Sequence, residues 1–348
     1  MVVAEDGALP LPWLSATLSQ AMAMDRSHAI LLHASPGDGA LALAMTLAQS
    51  WLCETGPSRP GQLACGRCGS CRQVAARAHP DLKLLVPEAL QVELGWNTSE
   101  ADAESTESGG KNKRKPSRQV RIDAVRAAID WMATTSSRGR AKVMLIHPAD
   151  ALNLQSANAL LKTLEEPPQG ARMILTTRDP EHLLPTVRSR CQRLRLPVPD
   201  LALARQWLAD QGIADAESLL RATGGHPIDA ATQAAAGLTA ARWNGLPAAV
   251  RDRRVAFFLE WPLPWVIDSL LKFVHDTFAL TVGGTPRYFD AKVLRASPDP
   301  AGLMKWQAEL LRVSRQSEHP WSEALLVEAL LGGARGLVPA SGLDTLRP

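Results

Sequence analysis

Residues 142–196 limit the folds open to this chain more than any other stretch: they open KVMLIHPADALNLQSANALLKTLEEPP and close on TVRSRCQRLRL. Lys142–His147 reads as a buried strand, because its apolar run is short and includes β-branched residues. A helix follows. Leu154, Ala157, Leu161 and Leu164 recur at spacings of three and four, which predicts one apolar face, and Pro167–Pro168 stops the helix. Met173–Thr177 is a second short apolar strand, and Leu183–Leu184 leads into Ser189-Arg190-Cys191. Strand, helix and strand in alternation imply a parallel sheet layered with helices.

The 348 residues suffice for two or three domains, and 46% hydrophobic content marks a chain with a sizeable core. A net charge of +3 does not announce a nucleic-acid binder, since phosphate contact needs clustered lysines and arginines. The N-terminal MVVAEDGALPLPW carries acids where a signal peptide carries bases and lacks its apolar core. No run is long and apolar enough to suggest a membrane span. These features lead us to expect a cytoplasmic protein without membrane contact. In that compartment five cysteines favour metal binding or free thiols over disulfides.

A helix is expected within 12–27 and a strand at His28–His33, running into ASPGDGALALAMTLAQSWLC. Strand, glycine-bearing turn and helix are the layout of a phosphate-binding loop. The chemistry of such a loop is missing. Gly37 and Gly39 remain, but Ala34 stands where the first glycine belongs, and Ala40 and Leu41 replace the phosphate-reaching lysine and the magnesium-holding hydroxyl. The turn retains backbone N–H groups and supplies neither a cation nor a metal ligand.

Downstream lie Cys53 and the run Cys65-Gly66-Arg67-Cys68-Gly69-Ser70-Cys71. Thiolates at this spacing can wrap one ion, with Cys53 completing a four-sulfur tetrahedron. Four soft ligands without histidine favour structural zinc that staples the 53–71 excursion. A redox role, free thiols and a nucleic-acid-reading zinc knuckle are the alternatives. Leu82–Val86 has the pattern of a strand, and Ala124–Thr134 that of a helix with Val125, Ile129 and Met132 inward. Between them, 88–118 is rich in Glu, Ser, Gly, Lys and Asn, acids first and bases (Lys111, Lys113, Arg114, Lys115) after. That composition predicts a flexible, solvated insertion.

The runs ANALLKTLEEPP and LTTRDPEHLLPTVRSRC, with the cysteine cluster upstream, resemble the delta-prime family of bacterial DNA polymerase III clamp loaders, a branch of the AAA+ proteins. The resemblance covers most of residues 12–235 and fades in the last third. It implies an AAA+ α/β domain over 1–198, a helical lid over 199–239 and a C-terminal helical collar over 240–348 through which subunits form a ring. Cys53, Cys65, Cys68 and Cys71 correspond to the family's zinc ligands. His147 and Pro148 stand where an active member has its magnesium-organising and water-polarising acids. Asp229, in Gly225-His226-Pro227-Ile228-Asp229-Ala230, replaces a sensor arginine.

With no ATP bound or hydrolysed by this chain, the resemblance implies that Arg190 is an arginine finger reaching the ATP of a neighbouring subunit. Ser189 and Cys191 would position its loop. The competing reading is an ordinary surface or salt-bridge arginine, as expected of Arg188, Arg193 and Arg195. Implied partners are the gamma/tau motor subunits, the delta subunit, the sliding clamp and primer-template DNA, all within the DNA polymerase III complex. An active clamp-loader ATPase and a stand-alone zinc-dependent DNA-binding protein are the alternatives.

Overall fold

In the computed structural model, residues 2–5, 8–24, 27–35, 37–55, 63–96, 116–315 and 322–338 are described. Five strands, β1 (Ala29–His33), β2 (Leu82–Leu85), β3 (Lys142–Ile146), β4 (Ala171–Thr177) and β5 (Gln192–Arg195), form one parallel sheet in the order β2-β3-β4-β1-β5. The three central strands are apolar almost throughout because helices cover both faces of the sheet.

On one face α2 (Ala40–Leu52) packs against β1, β3 and β4, with α1 (Ser15–Met22) and α3 (Gly69–Ala75) beyond it. Every residue of α2 except Ala40 and Trp51 is buried. On the other face, β4 sends Ala171, Met173 and Leu175 toward α5 (Ile122–Met132) and α6 (Leu154–Glu165). Val125, Ala128 and Met132 meet them from α5, and Ala157, Leu160 and Leu164 from α6.

The inner face of α6 therefore differs from the expected one. Leu154 is 63% exposed and Leu161 only partly buried. At 3.6 residues per turn, Leu154 sits roughly 85° around the axis from the centre of the Ala157–Leu160–Leu164 stripe. Leu160 takes its place. The helix begins at Asn153, whose side chain accepts from the Ser156 amide (2.9 Å), so Leu154 is the first residue past the cap.

The expected insertion at 88–118 is ordered at both ends. Glu88–Glu93 is a helix, α4, and its first turn is tied to residues far along the chain: Ser117 N donates to Glu88 Oε2 (2.9 Å) and Ala89 N to the Ser117 carbonyl (3.0 Å). The Arg77 guanidinium lies over the Trp96 ring at 4.7 Å, closing the segment that leaves α4. Local hydrogen bonds and one aromatic anchor order what composition alone marks as solvated. Residues 97–115, with the acidic and basic runs, lie outside the described residues.

A second unit begins at Leu201. Its helices are α8 (Leu201–Asp210), α9 (Ala216–Ala222), α10 (Pro227–Ala235), α11 (Ala240–Arg251), α12 (Leu263–Thr281), α13 (Pro300–Ser314) and α14 (Glu323–Gly332), joined near the Thr281–Pro300 connection by the buried Phe289. The segments expected as lid and collar share one core: Ala204, Leu208, Leu219 and Ala230 belong to the same buried cluster as Trp243, Phe273, Leu303 and Trp306. Trp243 stacks on Phe289 with centroids 4.5 Å apart and donates its indole N–H to the Tyr288 carbonyl (3.0 Å). Trp261 is buried, Trp265 half-buried, and Trp321 lies outside the described residues.

Asp276, fully buried on α12, accepts backbone N–H groups from Arg287 (2.9 Å), Tyr288 (2.6 Å) and Phe289 (2.8 Å). This carboxylate organises the turn that presents Phe289. Among the described residues no helix is long and apolar enough to cross a membrane.

Candidate metal centre, emptied cradle and arginine loop

The cysteine module grows from the C-terminus of α2. Cys53 caps that helix, while Cys65, Cys68 and Cys71 come from the turn that starts α3, and the four Sγ atoms lie within 4.8 Å of one another. Cys53–Cys68 and Cys65–Cys71 are both 3.9 Å apart, sulfur to sulfur. A tetrahedron with Zn–S bonds of about 2.3 Å has edges of about 3.8 Å, so the donor set fits zinc in number, chemistry and spacing. Gly66 takes the positive φ (71°) that the turn requires, and backbone amides point at sulfur: Cys65 N to Cys53 Sγ (3.4 Å), Cys68 N to Cys65 Sγ (3.3 Å) and Cys71 N to Cys68 Sγ (3.4 Å).

Those donors favour thiolate. The Cys65 thiol is brought down to about 6 by hydrogen bonding, from Thr55 first and then from the Arg67 and Cys68 amides. Burial and the neighbouring sulfurs push the Cys71 thiol up instead. Four thiolates at this distance repel one another, and a dication is the partner that lets all four ionise together.

The module is bonded to the sheet domain by a polar chain. Asp81 N donates to His79 Nδ1 (3.0 Å), which puts the ring proton on Nε2, facing Ser70 Oγ (3.0 Å). Ser70 in turn donates through its hydroxyl and its amide to Glu54 Oε1 (both 3.0 Å), and Arg138 pairs with the same oxygen. The Ser70 bonds, more than Arg138, hold the Glu54 carboxyl below the usual carboxylate range. Asp81 closes the loop by accepting from the amides of Ser137 (2.9 Å) and Arg138 (3.2 Å).

The glycine turn after β1 has the geometry of a cradle and a different filling. Gly37 and Gly39 both take positive φ (77° and 92°), and Gly39 leads directly into α2. Ala40 and Leu41 form the first turn of that helix, with Leu41 buried. Between the glycines, Asp38 is 1% exposed and its carboxylate accepts from the Ser35 amide (3.1 Å). A carboxylate thus sits inside the turn where a phosphate-binding loop supplies N–H groups and a lysine. Nothing in the sequence singles out Asp38, because an aspartate between glycines is an ordinary turn residue.

At the end of β3, His147 Nδ1 lies 2.7 Å from Thr176 Oγ1 on β4. Burial, helped by the positive charge of Arg178, brings its pKa down to about 4, so the imidazole is neutral near pH 7. Pro148 contributes no side-chain polar group. Asp229 lies in the first turn of α10 in the second unit.

Arg190 sits in the turn between α7 (Pro185–Arg188) and β5. Buried Val187 and Cys191 flank it, and burial pushes the Cys191 thiol up to about 12, so that sulfur acts as an apolar anchor. Ser189 Oγ donates to the Thr186 carbonyl (3.2 Å), and Arg190 Nη1 donates to the same carbonyl (2.8 Å). Arg190 Nη2 pairs with Glu165, the last residue of α6. Arg188 pairs with Glu181. Arg190 therefore has a carboxylate partner within its own chain, which nothing in the residue spacing indicates.

The family model described as DNA polymerase III, delta subunit, matches residues 12–200. The DNA polymerase III subunit delta′ of Pseudomonas aeruginosa is 31% identical over 354 aligned positions, covering 92% of this chain and 95% of that protein. The Escherichia coli delta′ subunit is 34% identical over 215 positions, 61% of this chain and 56% of that one. The E. coli tau subunit is 32% identical over 181 positions, 52% of this chain and 23% of that protein.

Proposed function

This chain belongs to the delta-prime family of DNA polymerase III subunits, and on that premise we propose that it is the non-hydrolysing member of the clamp loader, lending Arg190 to a neighbour's ATP. The observation that carries the reading is strand register. Gln192 of β5 pairs with Ile30 of β1, so Arg190 lies level with the start of β1, whereas the Gly37–Gly39 turn leaves its end. With about 3.3 Å per residue, the two features are separated by roughly 15 Å along the sheet. A guanidinium so placed is at the wrong end of the sheet to serve its own cradle.

The cradle itself supports the same reading. Asp38 puts a buried acid in the turn, Ala40 and Leu41 provide no cation or magnesium ligand, and neutral His147 and Pro148 take the places of two catalytic acids. Phosphoryl transfer depends on positive charge and metal at those points. Supplied in trans, an arginine finger is worth on the order of 10³–10⁵ in rate.

In this proposal the zinc-stapled sheet domain (1–198) presents the finger, the 199–239 segment is the lid, and 240–348 is the collar that joins the ring. Motor subunits of the gamma/tau type receive Arg190. The delta subunit, the sliding clamp and primer-template DNA complete the working complex, and loading the clamp in chromosomal replication is its task.

The test is Arg190→Ala in the complex reconstituted with its motor subunits. Assembly, followed by native mass spectrometry, is expected to be unchanged while clamp-stimulated ATP turnover falls at least tenfold. Full turnover by the assembled variant, or ATP hydrolysis by the isolated wild-type chain, overturns the proposal.

A further inference from the structure

The LEEPP segment has no role in the reading above. Its first glutamate, Glu165, closes α6, and its carboxylate holds Arg190 Nη2 across twenty-five residues of chain. Both partners stand on stiff supports. The end of α6 is pinned to the sheet by His28 Nε2, which donates to the Leu164 carbonyl (2.7 Å), and Glu166 N bonds the Lys162 carbonyl (2.9 Å) just before Pro167–Pro168 end the helix.

We infer that Glu165 is the positioning residue for the Arg190 finger, an inference that rests on the finger reading. A guanidinium carries five N–H donors in a fixed planar fork. The Thr186 carbonyl (2.8 Å) and Ser189 Oγ (3.4 Å) engage Nη1, and Glu165 engages Nη2. That leaves Nε–H and one Nη2 hydrogen for an acceptor outside the chain. A long, half-exposed arginine samples many rotamers, and productive transfer needs its fork within about half an ångström of one place. Acceptors fixed on two separate stretches, Glu165 at the end of α6 and Thr186 and Ser189 at α7, select that placement before the neighbour docks.

As a surface ion pair, with side chains 32% and 49% exposed, the contact adds little to stability. Its value lies in orientation, and the hydrogen bond matters more than the charge. The carboxylate also offsets part of the guanidinium's pull on a phosphate, so a pair that acted only through charge would restrain the finger.

These roles separate in the reconstituted complex, measured as kcat and KM for ATP in wild type, Glu165→Ala, Glu165→Gln, Arg190→Ala and the Glu165→Ala/Arg190→Ala double variant. We expect Glu165→Ala to lower kcat several-fold to tenfold with KM unchanged. Glu165→Gln, which keeps an acceptor without the charge, should restore most of the rate, and the double variant should be no slower than Arg190→Ala. Melting temperatures of the isolated chains should agree within a degree or two. If Arg190→Ala suppresses turnover while Glu165→Ala matches or exceeds wild type, Glu165 has no positioning role and the finger stands. If Glu165→Gln is as slow as Glu165→Ala, a neutral acceptor at this place does not position the guanidinium and the inference fails. Wild-type turnover with Arg190→Ala removes both readings.

Discussion

Gly66 passes under Ala4 with no room for a side chain: a Cβ on Gly66 would lie 1.9 Å from the Ala4 carbonyl oxygen. The segment around Ala4 is laid on the cysteine module and held there by Gln49, which pairs with Val3 through N–H···Oε1 (2.8 Å) and Nε2–H···O (3.3 Å) contacts and also reaches the Cys71 carbonyl. Gly66 has φ 71° as well, so alanine is opposed by both backbone and contact. Gly66→Ala is expected to cost about 2–4 kcal/mol by urea denaturation, the sum of left-handed strain and the collision. Gly95→Ala provides the comparison, because Gly95 has φ 64° and open space around it. Strain alone should cost about 1–2 kcal/mol there.

One zinc per chain is expected on metal analysis, with protons released on binding because the ligands are thiolates. Replacing any of Cys53, Cys65, Cys68 or Cys71 by serine should lower zinc affinity by at least tenfold in a chelator competition. Limited proteolysis after chelation should open the cysteine module first, since the sheet has its own large core. Cys191→Ser is the control: its buried sulfur belongs to the α5–α6 core rather than to the cysteine cluster, and the change should leave zinc stoichiometry unchanged.

His147 makes the protein lose stability in mild acid. Its pKa falls from 6.5 to about 4 on folding. The unfolded chain therefore takes up a proton first as pH drops. Stability from this group is complete above about pH 6.5, is lost progressively on the way down to pH 4, and amounts to on the order of 3 kcal/mol. The difference between the urea midpoints of wild type and His147→Gln should be constant above pH 6.5, and wild type should lose stability relative to the variant as pH falls toward 4.

Asp276→Ala is expected to be among the most damaging single changes in the second unit. It strips three backbone N–H groups, those of exposed Arg287, half-buried Tyr288 and buried Phe289, of their acceptor. A cost of about 3–5 kcal/mol follows from the desolvation of unsatisfied donors. Asp276→Asn keeps one acceptor oxygen and should cost roughly half as much in the same denaturation experiment.

The alternation of β3, α6 and β4 was readable because short apolar runs and a proline stop have few other interpretations. The second strand, the glycine turn and the cysteine spacing were readable for similar reasons. Leu154 misled because a spacing of three to Ala157 places it on the flank of the stripe rather than in it. β5 carries one buried residue, Leu194, among Gln192, Arg193 and Arg195, too little alternation to mark an edge strand. The ordered ends of 88–118 depend on Glu88 meeting Ser117 across the intervening chain, a pairing that composition does not encode. Asp38 and Glu165 were invisible for another reason: one resembles any turn aspartate and the other any helix-surface glutamate until the fold brings each to its partner.

The register of β5 on β1 also gives the sheet a direction. On the proposed reading, one end extends a guanidinium outward, while the other, closed by Asp38, has nothing to receive from a donor of the same kind. Head-to-tail assembly of such modules needs a giving and a receiving end at every joint. A module able only to give belongs at an extremity of the row, where it ends the relay of nucleotide sites.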